Sequence, residues 1–272
     1  MEITSVKKGA ELTSIKINGV EKLHDGVDFW NRHSPILFPM VGRLKNDKAI
    51  IDGKEFEMKQ HGFARDTEFE CVLYSEEEQS YILKSSENTK KKYPYDFILN
   101  VTHRIEENKV VTEYKVINND EKEMYFGIGG HPAYKIDYSN CYIEFEQEET
   151  SIKFYELQDG LIAKEYHREM KNNKILNLNE NIFENDAIIM SNVKSNMLYV
   201  KAKQNNEILL KFYFEDFPYL AIWSKKGAPF LCIEPWFTTA DTIDSNGIFE
   251  DKQGTICLKP NEEFACQYAV EF

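Results

Sequence analysis

Three short segments of the chain combine a titratable side chain with glycine, proline or aromatic residues. They read Gln60-His61-Gly62-Phe63-Ala64-Arg65, Gly129-Gly130-His131-Pro132-Ala133-Tyr134 and Cys232-Ile233-Glu234-Pro235-Trp236. An imidazole or a carboxyl group held in a fixed position can donate or accept a proton during a reaction. We therefore predict acid–base chemistry that centres on His61, His131 and Glu234.

Glu234 is unusual because it follows an apolar run, residues 230–233, that should lie in the interior. A buried carboxylate is costly unless it is paired or hydrogen-bonded, and burial raises its pKa toward values that suit a general base. Trp236 places a flat apolar surface beside it. The alternative is a structural carboxylate in the core, paired with Arg43 or Lys225.

His131 follows two glycines, which allow the backbone to bend or to approach a ligand closely, and Pro132 fixes the direction of the chain after it. A histidine held in this way suits proton donation, but it could equally shape the turn. The other histidines are expected to be structural or to lie on the surface: His24, His33, His103 and His167.

The elements that must position these residues are strands. Alternation of apolar and polar residues with a period of two predicts strands with one solvated face. It recurs in Leu12–Ile17, Tyr81–Lys84, Val110–Val116 and Tyr142–Phe145. Two runs without alternation, Tyr219–Trp223 and Phe230–Ile233, should be buried on both faces and belong to a central layer.

Turn signals separate these runs. Asn18-Gly19, Asp52-Gly53 and Asp159-Gly160 supply the positive φ that tight hairpins need, and residues 106–108 should close a long hairpin. The stretch 179–189 suits a short helix or an irregular loop. With neither repeats nor a linker in the sequence, we predict a single domain over residues 1–272, an all-β fold of the large antiparallel β-sandwich type.

The charge of the chain limits its partners. It carries 33 Lys and Arg residues against 46 Asp and Glu residues, a formal net charge of −13. Such a field repels nucleic acid and anionic membranes, so we expect neither as a partner. A local phosphate pocket is still compatible with it, because a few arginines in a cleft can outweigh a distant screened surface. The sequence shows no leader and no apolar stretch of about 20 residues, which predicts a cytoplasmic protein.

The cysteines and histidines give no metal-binding pattern. The five cysteines are scattered without a C-x-x-C pair, so reduced and mostly buried thiols are expected. His61 and His131 lie outside any close ligand spacing such as H-x-x-x-H. We therefore predict no metal site.

The order of these motifs resembles the aldose 1-epimerase (galactose mutarotase) family over nearly the whole chain. The match begins with His33-Ser34-Pro35-Ile36-Leu37-Phe38-Pro39 and Gly42-Arg43, passes through the His61 and His131 segments, and ends at Ile233-Glu234-Pro235-Trp236. The resemblance implies a large antiparallel β-sandwich with an open cleft. It also implies a reaction without a cofactor, the interconversion of the α and β anomers of a free sugar.

The resemblance assigns roles to five residues. Glu234 matches the family's general base, His131 its general acid, and His61 a second histidine that hydrogen-bonds the sugar. Arg43 matches a substrate-binding arginine, and Asp186 an aspartate that binds sugar hydroxyls. The base removes a proton from the O1 hydroxyl and the acid protonates the ring oxygen. We expect the two groups on opposite sides of the sugar.

Arg65 and Trp236 are further candidates for substrate binding, because they neighbour matched residues. A guanidinium can bridge two hydroxyls or grip a phosphate. The segment 41–46 lacks the family's usual second arginine, so the resemblance does not specify galactose as the sugar.

Three other functions stay open at this stage. Arg43, Lys45 and Arg65 suggest an epimerase of hexose 6-phosphates, and a noncatalytic sugar-binding or sensor protein could keep the same cleft. Glycoside hydrolysis would need a second acid, for which Asp186 is the candidate. The expected partner is a small-molecule sugar, and the expected state is a monomer or a homodimer.

Overall fold

The structure is a computed structural model that describes residues 1–168 and 170–272. Strands dominate these residues. In chain order they are β1 (Glu2–Ser5), β2 (Leu12–Ile17), β3 (Val20–Glu21), β4 (Ile36–Leu37), β5 (Lys48–Ile51), β6 (Lys54–Glu57), β7 (Glu70–Tyr74), β8 (Glu78–Lys84), β9 (Phe97–Glu106), β10 (Lys109–Asn118), β11 (Met124–Phe126), β12 (Gly129–Gly130), β13 (Ala133–Tyr134), β14 (Cys141–Phe145), β15 (Lys153–Gln158), β16 (Leu161–Tyr166), β17 (Ile175–Asn177), β18 (Ile188–Ser191), β19 (Met197–Ala202), β20 (Ile208–Tyr213), β21 (Tyr219–Trp223), β22 (Leu231–Trp236), β23 (Ile256–Leu258) and β24 (Glu263–Glu271).

The helical segments are short. They are α1 (Glu87–Lys90) and the 3₁₀ turns Lys45–Asp47, Ala64–Asp66 and Tyr138–Asn140. Within residues 1–168 and 170–272, no helix is long and apolar enough to cross a bilayer.

Two large sheets form the body of the fold. The first has the strand order β17-β14-β19-β20-β24-β10-β9-β8-β7, and the second has the order β16-β15-β18-β21-β22-β12-β4, with β13 also paired to β22. Neighbouring strands in both run antiparallel. The prediction of a large antiparallel β-sandwich is confirmed.

The predicted hairpins are confirmed, and their turns have the backbone that the sequence indicated. Asn18-Gly19, Asp52-Gly53 and Asp159-Gly160 all have positive φ at both residues, between 49° and 78°. They join β2 to β3, β5 to β6 and β15 to β16. The long hairpin of β9 and β10 pairs Glu106 with Lys109 next to its turn.

The core lies between the two large sheets. From β21 and β22 of the second sheet, alternate residues contribute Leu220, Ile222, Leu231 and Ile233. The first sheet adds buried residues to the same cluster, among them Val116, Phe212, Tyr268 and Val270. Side chains between these positions on β21 and β22 point to the outer face of the second sheet, where loops cover them. Both faces of these central strands are therefore buried, as predicted.

The five cysteines are free thiols. Cys141, Cys232 and Cys266 are buried, Cys71 is partly buried and Cys257 is exposed. The prediction of reduced, mostly buried thiols is confirmed.

Candidate active site

A cavity of about 390 Å³ opens on the outer face of the second sheet. Its floor comes from the central strands, with Glu234 and Trp236 on β22 and Trp223 on β21. Glu234 and Trp236 share this face because side chains two residues apart on a strand point the same way. Loops form the walls. Of the seven predicted site residues, six line this cavity: His61, Arg65, His131, Asp186, Glu234 and Trp236.

Glu234 and His131 form a close pair at the floor. Oε2 of Glu234 lies 3.3 Å from Nε2 of His131, so the two groups lie side by side and leave no room for a sugar between them, which corrects the prediction of opposite sides of the sugar. Glu234 is 1% exposed and His131 is 8% exposed. Burial raises the pKa of Glu234 well above its ordinary value, as does the negative charge of Asp186. Burial, together with the positive charge of Arg65, lowers the pKa of His131 to about 3.

Aromatic rings hold the imidazole of His131 in place. It stacks on Trp30 with ring centroids 4.6 Å apart, and the Trp223 ring meets it edge-on at 5.7 Å. The backbone N–H of His131 donates to the carbonyl of Pro35 at 3.0 Å. These contacts leave the ring few orientations.

The glycines before His131 serve packing, which corrects the sequence interpretation. Neither has the left-handed φ of a sharp bend. A Cβ on Gly129 would lie 2.8 Å from the carbonyl oxygen of Pro235, and one on Gly130 would lie 2.8 Å from the Tyr268 ring. The glycines therefore let β12 approach β22 and the core, instead of approaching a ligand.

His61 has a fixed tautomer. Its Nδ1 accepts a hydrogen bond from the backbone N–H of Gly42 at 3.1 Å, and the backbone N–H of His61 donates to the Gly42 carbonyl at 2.8 Å. An imidazole that accepts at Nδ1 carries its proton on Nε2 when it is neutral. Burial, and then the positive charge of Arg65, lowers the pKa of His61 well below its ordinary value. His61 therefore presents a neutral N–H donor.

The backbone at His61 is strained in a way that glycine helps to support. His61 has φ of 68°, which is uncommon for a residue with a side chain. The next residue, Gly62, also has positive φ, and a Cβ there would lie 2.2 Å from the carbonyl oxygen of Phe38. Strained backbone of this kind clusters at functional sites.

Several buried polar atoms around the cavity lack a hydrogen-bond partner among the residues described. They are Arg65 Nε, His131 Nδ1, Glu234 Oε2 and Trp236 Nε1. An unpaired buried donor or acceptor costs about 1–3 kcal/mol, so such atoms are rare in folded proteins. Their gathering around one cavity points to a ligand rich in donors and acceptors.

Asp186 and Arg43 lie nearer to solvent. Asp186 is exposed at the wall of the cavity, in a run of turns, with φ of 74° and an Oδ1 that accepts the Ala187 N–H at 2.8 Å. The Arg43 side chain does not line the cavity. Its Nε donates to Asp47 at 3.0 Å and its Nη1 to the carbonyl of Asp159 at 3.1 Å.

The alternative in which Glu234 is a core carboxylate paired with Arg43 or Lys225 is wrong. Arg43 pairs with Asp47 instead. The ammonium group of Lys225 donates to the carbonyl of Phe29 at 3.1 Å. The close neighbour of the Glu234 carboxyl group is the imidazole of His131.

Comparison with known proteins identifies the family. A family model described as aldose 1-epimerase matches residues 1–263. The chain belongs to the aldose 1-epimerase family. Among curated relatives of this family member, protein LacX of Lactococcus lactis subsp. lactis is 32% identical, over 96% of this chain and 93% of LacX, in both its plasmid and chromosomal forms.

Solved structures resemble this aldose 1-epimerase family member over nearly its whole length. A galactose mutarotase related enzyme from Lactobacillus acidophilus has a TM-score of 0.92 at 29% identity, covering 99% of this chain and 93% of that one. A galactose mutarotase-like protein from Lactobacillus casei ATCC 334 has a TM-score of 0.92 at 26% identity, covering 99% and 96%. The fold is therefore that of the galactose mutarotase-like proteins.

Sequence reasoning missed four polar or aromatic residues that line the cavity of this aldose 1-epimerase family member: Trp30, Arg32, Gln60 and Trp223. Gln60 lies within the quoted His61 segment, and Trp30 and Arg32 lie shortly before His33, where the match to the family begins. Trp223 could have been found by strand register, because β21 pairs it with Cys232, two residues before Glu234.

The same floor contains a group of side chains that could hold a metal ion. Potential ligand atoms of His131, Cys232 and Glu234 all lie within 4.8 Å of one another. Imidazole, thiolate and carboxylate are all zinc ligands. A rule based on histidine spacing could not reveal this group, since it arises from two neighbours on one face of β22 and a third residue from another strand end. The absence of a metal requirement stays a prediction.

Proposed function

We propose that the protein is an aldose 1-epimerase, which interconverts the α and β anomers of a sugar by opening its ring. The pair of Glu234 and His131, 3.3 Å apart at the floor of a cavity with unpaired polar atoms, carries this proposal. Membership of the aldose 1-epimerase family supports it.

The side-by-side arrangement of the pair suits the reaction. The O1 hydroxyl and the ring oxygen of a sugar are bonded to the same carbon, so neighbouring groups can reach both. Glu234 accepts the O1 proton while His131 donates a proton to the ring oxygen, and the bond between C1 and the ring oxygen breaks. The open aldehyde turns about the C1–C2 bond. Reversal of both transfers closes the ring on the other face of C1.

Ring opening and closing require Glu234 and His131 to hold one proton between them. Burial of both groups favours its location on Glu234, where no net charge results. The nearby indole N–H of Trp236 and then the positive charge of Arg65 oppose this, since both lower the pKa of Glu234. Hydrogen bonds from sugar hydroxyls to the carboxylate act in the same direction. Substrate binding thus favours the ion pair, in which Glu234 is the base and His131 the acid.

Other residues of the cavity orient the sugar in this proposal. The Nε2–H of His61 donates to an oxygen near C1, and the unpaired Nε1–H of Trp236 offers another donor. Asp186 accepts a sugar hydroxyl at the wall. Arg43 supports the turn of β15 and β16 through the Asp159 carbonyl, beside Gly160 of the cavity wall.

The direct test is anomer exchange measured by NMR on free glucose and galactose. The protein should accelerate exchange above the spontaneous rate, and His131→Gln should reduce the enzymatic rate by about 10²- to 10⁴-fold. A wild-type protein that binds these sugars saturably in calorimetry, without accelerating exchange of any sugar tried, would instead be a sugar-binding protein.

A further inference from the structure

Two arginines lie together in the wall of the cavity. Arg65 follows His61 in the loop between β6 and β7, and Arg32 comes from the loop before β4. Burial, and then the nearby positive charge of Arg32, lowers the pKa of Arg65 to about 10. Both cations also help to lower the pKa of His61. The arginines therefore lie near the reacting end of the cavity.

The two arginines share one close carboxylate. Arg32 Nη2 donates to Asp66 Oδ1 at 2.8 Å, whereas Arg65 Nε lies 4.0 Å from Asp66 Oδ2. Arg65 Nη2 donates to the carbonyl of Gln60, and its buried Nε lacks a hydrogen-bond partner in the described part of the chain. Burial raises the pKa of Glu234, which disfavours the negative charge that could compensate Arg65. Two guanidinium groups in this wall therefore share one carboxylate within 4.0 Å, and the negative charge of Glu11 acts on Arg65 from further away.

The backbone around both arginines is held in place. Glu11 Oε1 accepts the backbone N–H groups of His33 and Ser34, at 2.6 and 3.0 Å, which anchors the loop after Arg32. The carbonyl of Arg65 packs so closely on Gly9 that a Cβ there would lie 2.7 Å from its oxygen. The two guanidinium groups are therefore presented from preorganised loops.

We propose that Arg32 and Arg65 form an anion subsite, so that the sugar bound in the cavity carries a phosphate or a carboxylate group. A buried cation is costly unless paired, and a guanidinium matches the oxygens of either anion with parallel hydrogen bonds. Neutral hydroxyls could accept a hydrogen bond from Arg65 Nε, but they would add no negative charge to the single carboxylate that the two arginines share. The ring-opening step is unchanged. The inference rests on the proposed function for the sugar, but anion binding can be measured without turnover.

The subsite differs from the one that the sequence suggested. Arg43 and Lys45 lie elsewhere, with Arg43 paired to Asp47 and Lys45 Nζ donating to the carbonyl of Ser245 at 3.0 Å. Arg65 remains a candidate for anion binding, and Arg32 takes the part that the sequence suggested for Arg43 and Lys45. The chain as a whole has a formal net charge of −13, so two neighbouring arginines in one cavity wall differ from its overall acidic character.

The first experiment compares anomer exchange on neutral and anionic sugars. Glucose, glucose 6-phosphate and glucuronate form one series, and the galactose equivalents form another. We expect kcat/KM to be about 100-fold higher for an anionic sugar, as two charge-assisted interactions allow, and the preference to shrink as salt is added. A preference for the phosphates or for the uronates identifies the group. Equal values for neutral and anionic sugars would overturn the subsite and leave the proposed function standing.

Variants then locate the subsite. Arg65→Gln and Arg32→Gln should each reduce the ratio of anionic to neutral kcat/KM by about 10-fold. Arg104→Gln is the matched control, because Arg104 pairs with Glu106 and Glu113 on the first sheet. The inference is wrong if the ratio survives both cavity variants or falls equally in the control. If Arg65→Gln does not fold, Arg65→Lys keeps the charge but loses the planar fork, and should give an intermediate ratio.

Two measurements on the wild-type protein need no variant. Inorganic phosphate should compete with a neutral sugar in the exchange assay, and lack of competition at tens of millimolar would count against the subsite. Calorimetry should show tighter binding of glucose 6-phosphate than of glucose. If that preference appears while no sugar exchanges faster, the proposed function fails and the anion subsite stands.

Discussion

Glu234→Gln is the substitution that separates chemistry from folding most clearly. The amide has the shape of the carboxyl group but cannot accept the O1 proton, so kcat/KM should fall by about 10²- to 10⁴-fold, or roughly 3–5 kcal/mol in the activation free energy. The fold should be spared, because burial disfavours the charged form of Glu234 by raising its pKa, and its Oε2 accepts no hydrogen bond from the described residues. We expect the free energy of unfolding to change by less than about 1 kcal/mol.

Glu149 provides the matched control for this substitution. It is also buried, at 3% exposure, but it does not line the cavity, and its carboxylate accepts the backbone N–H groups of Lys194 and Ser195. Glu149→Gln should therefore cost about 1–3 kcal/mol of stability and leave anomer exchange unchanged. NMR exchange and chemical denaturation of both variants give the comparison. The reasoning fails if Glu234→Gln keeps its activity within 10-fold, or if the control loses as much.

Further predictions concern pH, packing and metals. The acid limb of kcat/KM should lie well below pH 6.5, because the pair of His131 and Glu234 takes up a second proton only near the His131 pKa of about 3. An acid limb near pH 6.5 would contradict this. His103, buried with a pKa of about 4, binds its proton more weakly in the folded than in the unfolded protein. It should therefore cost the fold about 3 kcal/mol as pH falls from 6.5 to 4, which denaturation of His103→Asn can check, since that variant should lose less. Gly130→Ala should lower stability by about 1–3 kcal/mol, as measured by urea unfolding, because its Cβ would meet buried tyrosine rings. EDTA should leave anomer exchange unchanged, and loss of activity that zinc restores would show that the cluster with Cys232 needs a metal.

Much of the fold could be predicted because strands and hairpins leave local signals. Alternation in Leu12–Ile17 matches β2 residue for residue, and the apolar run at 219–223 matches β21. The turn at Asp52-Gly53 needs two residues with positive φ, which few residue pairs supply. The pairing order of distant strands, such as β24 between β10 and β20, has no such local signal.

The site was harder to predict than the fold, because contacts between distant segments build it. Glu234 can be recognised from the sequence, because it places a carboxylate at the end of an apolar run that predicts a buried strand. Arg32 has no such local signal. Its position depends on Glu11, 22 residues before His33, whose carboxylate accepts the backbone N–H groups of His33 and Ser34 directly after Arg32. The glycines before His131 were recognised as special, but their close neighbours, Pro235 and Tyr268, come from strands that the local sequence cannot reveal.

The Gly42-Arg43 motif contributes its glycine to the cavity wall, whereas its arginine side chain points to another residue. The resemblance placed the arginine in the site, yet the structure places Gly42 in the wall of the cavity and directs Arg43 to Asp47. Gly42 has φ of 74°, and a Cβ would lie 2.4 Å from the backbone nitrogen of Ala240. Only a glycine fits there, and its peptide groups make both hydrogen bonds that fix His61. The motif thus acts on the site through its backbone, by setting which imidazole nitrogen carries the proton.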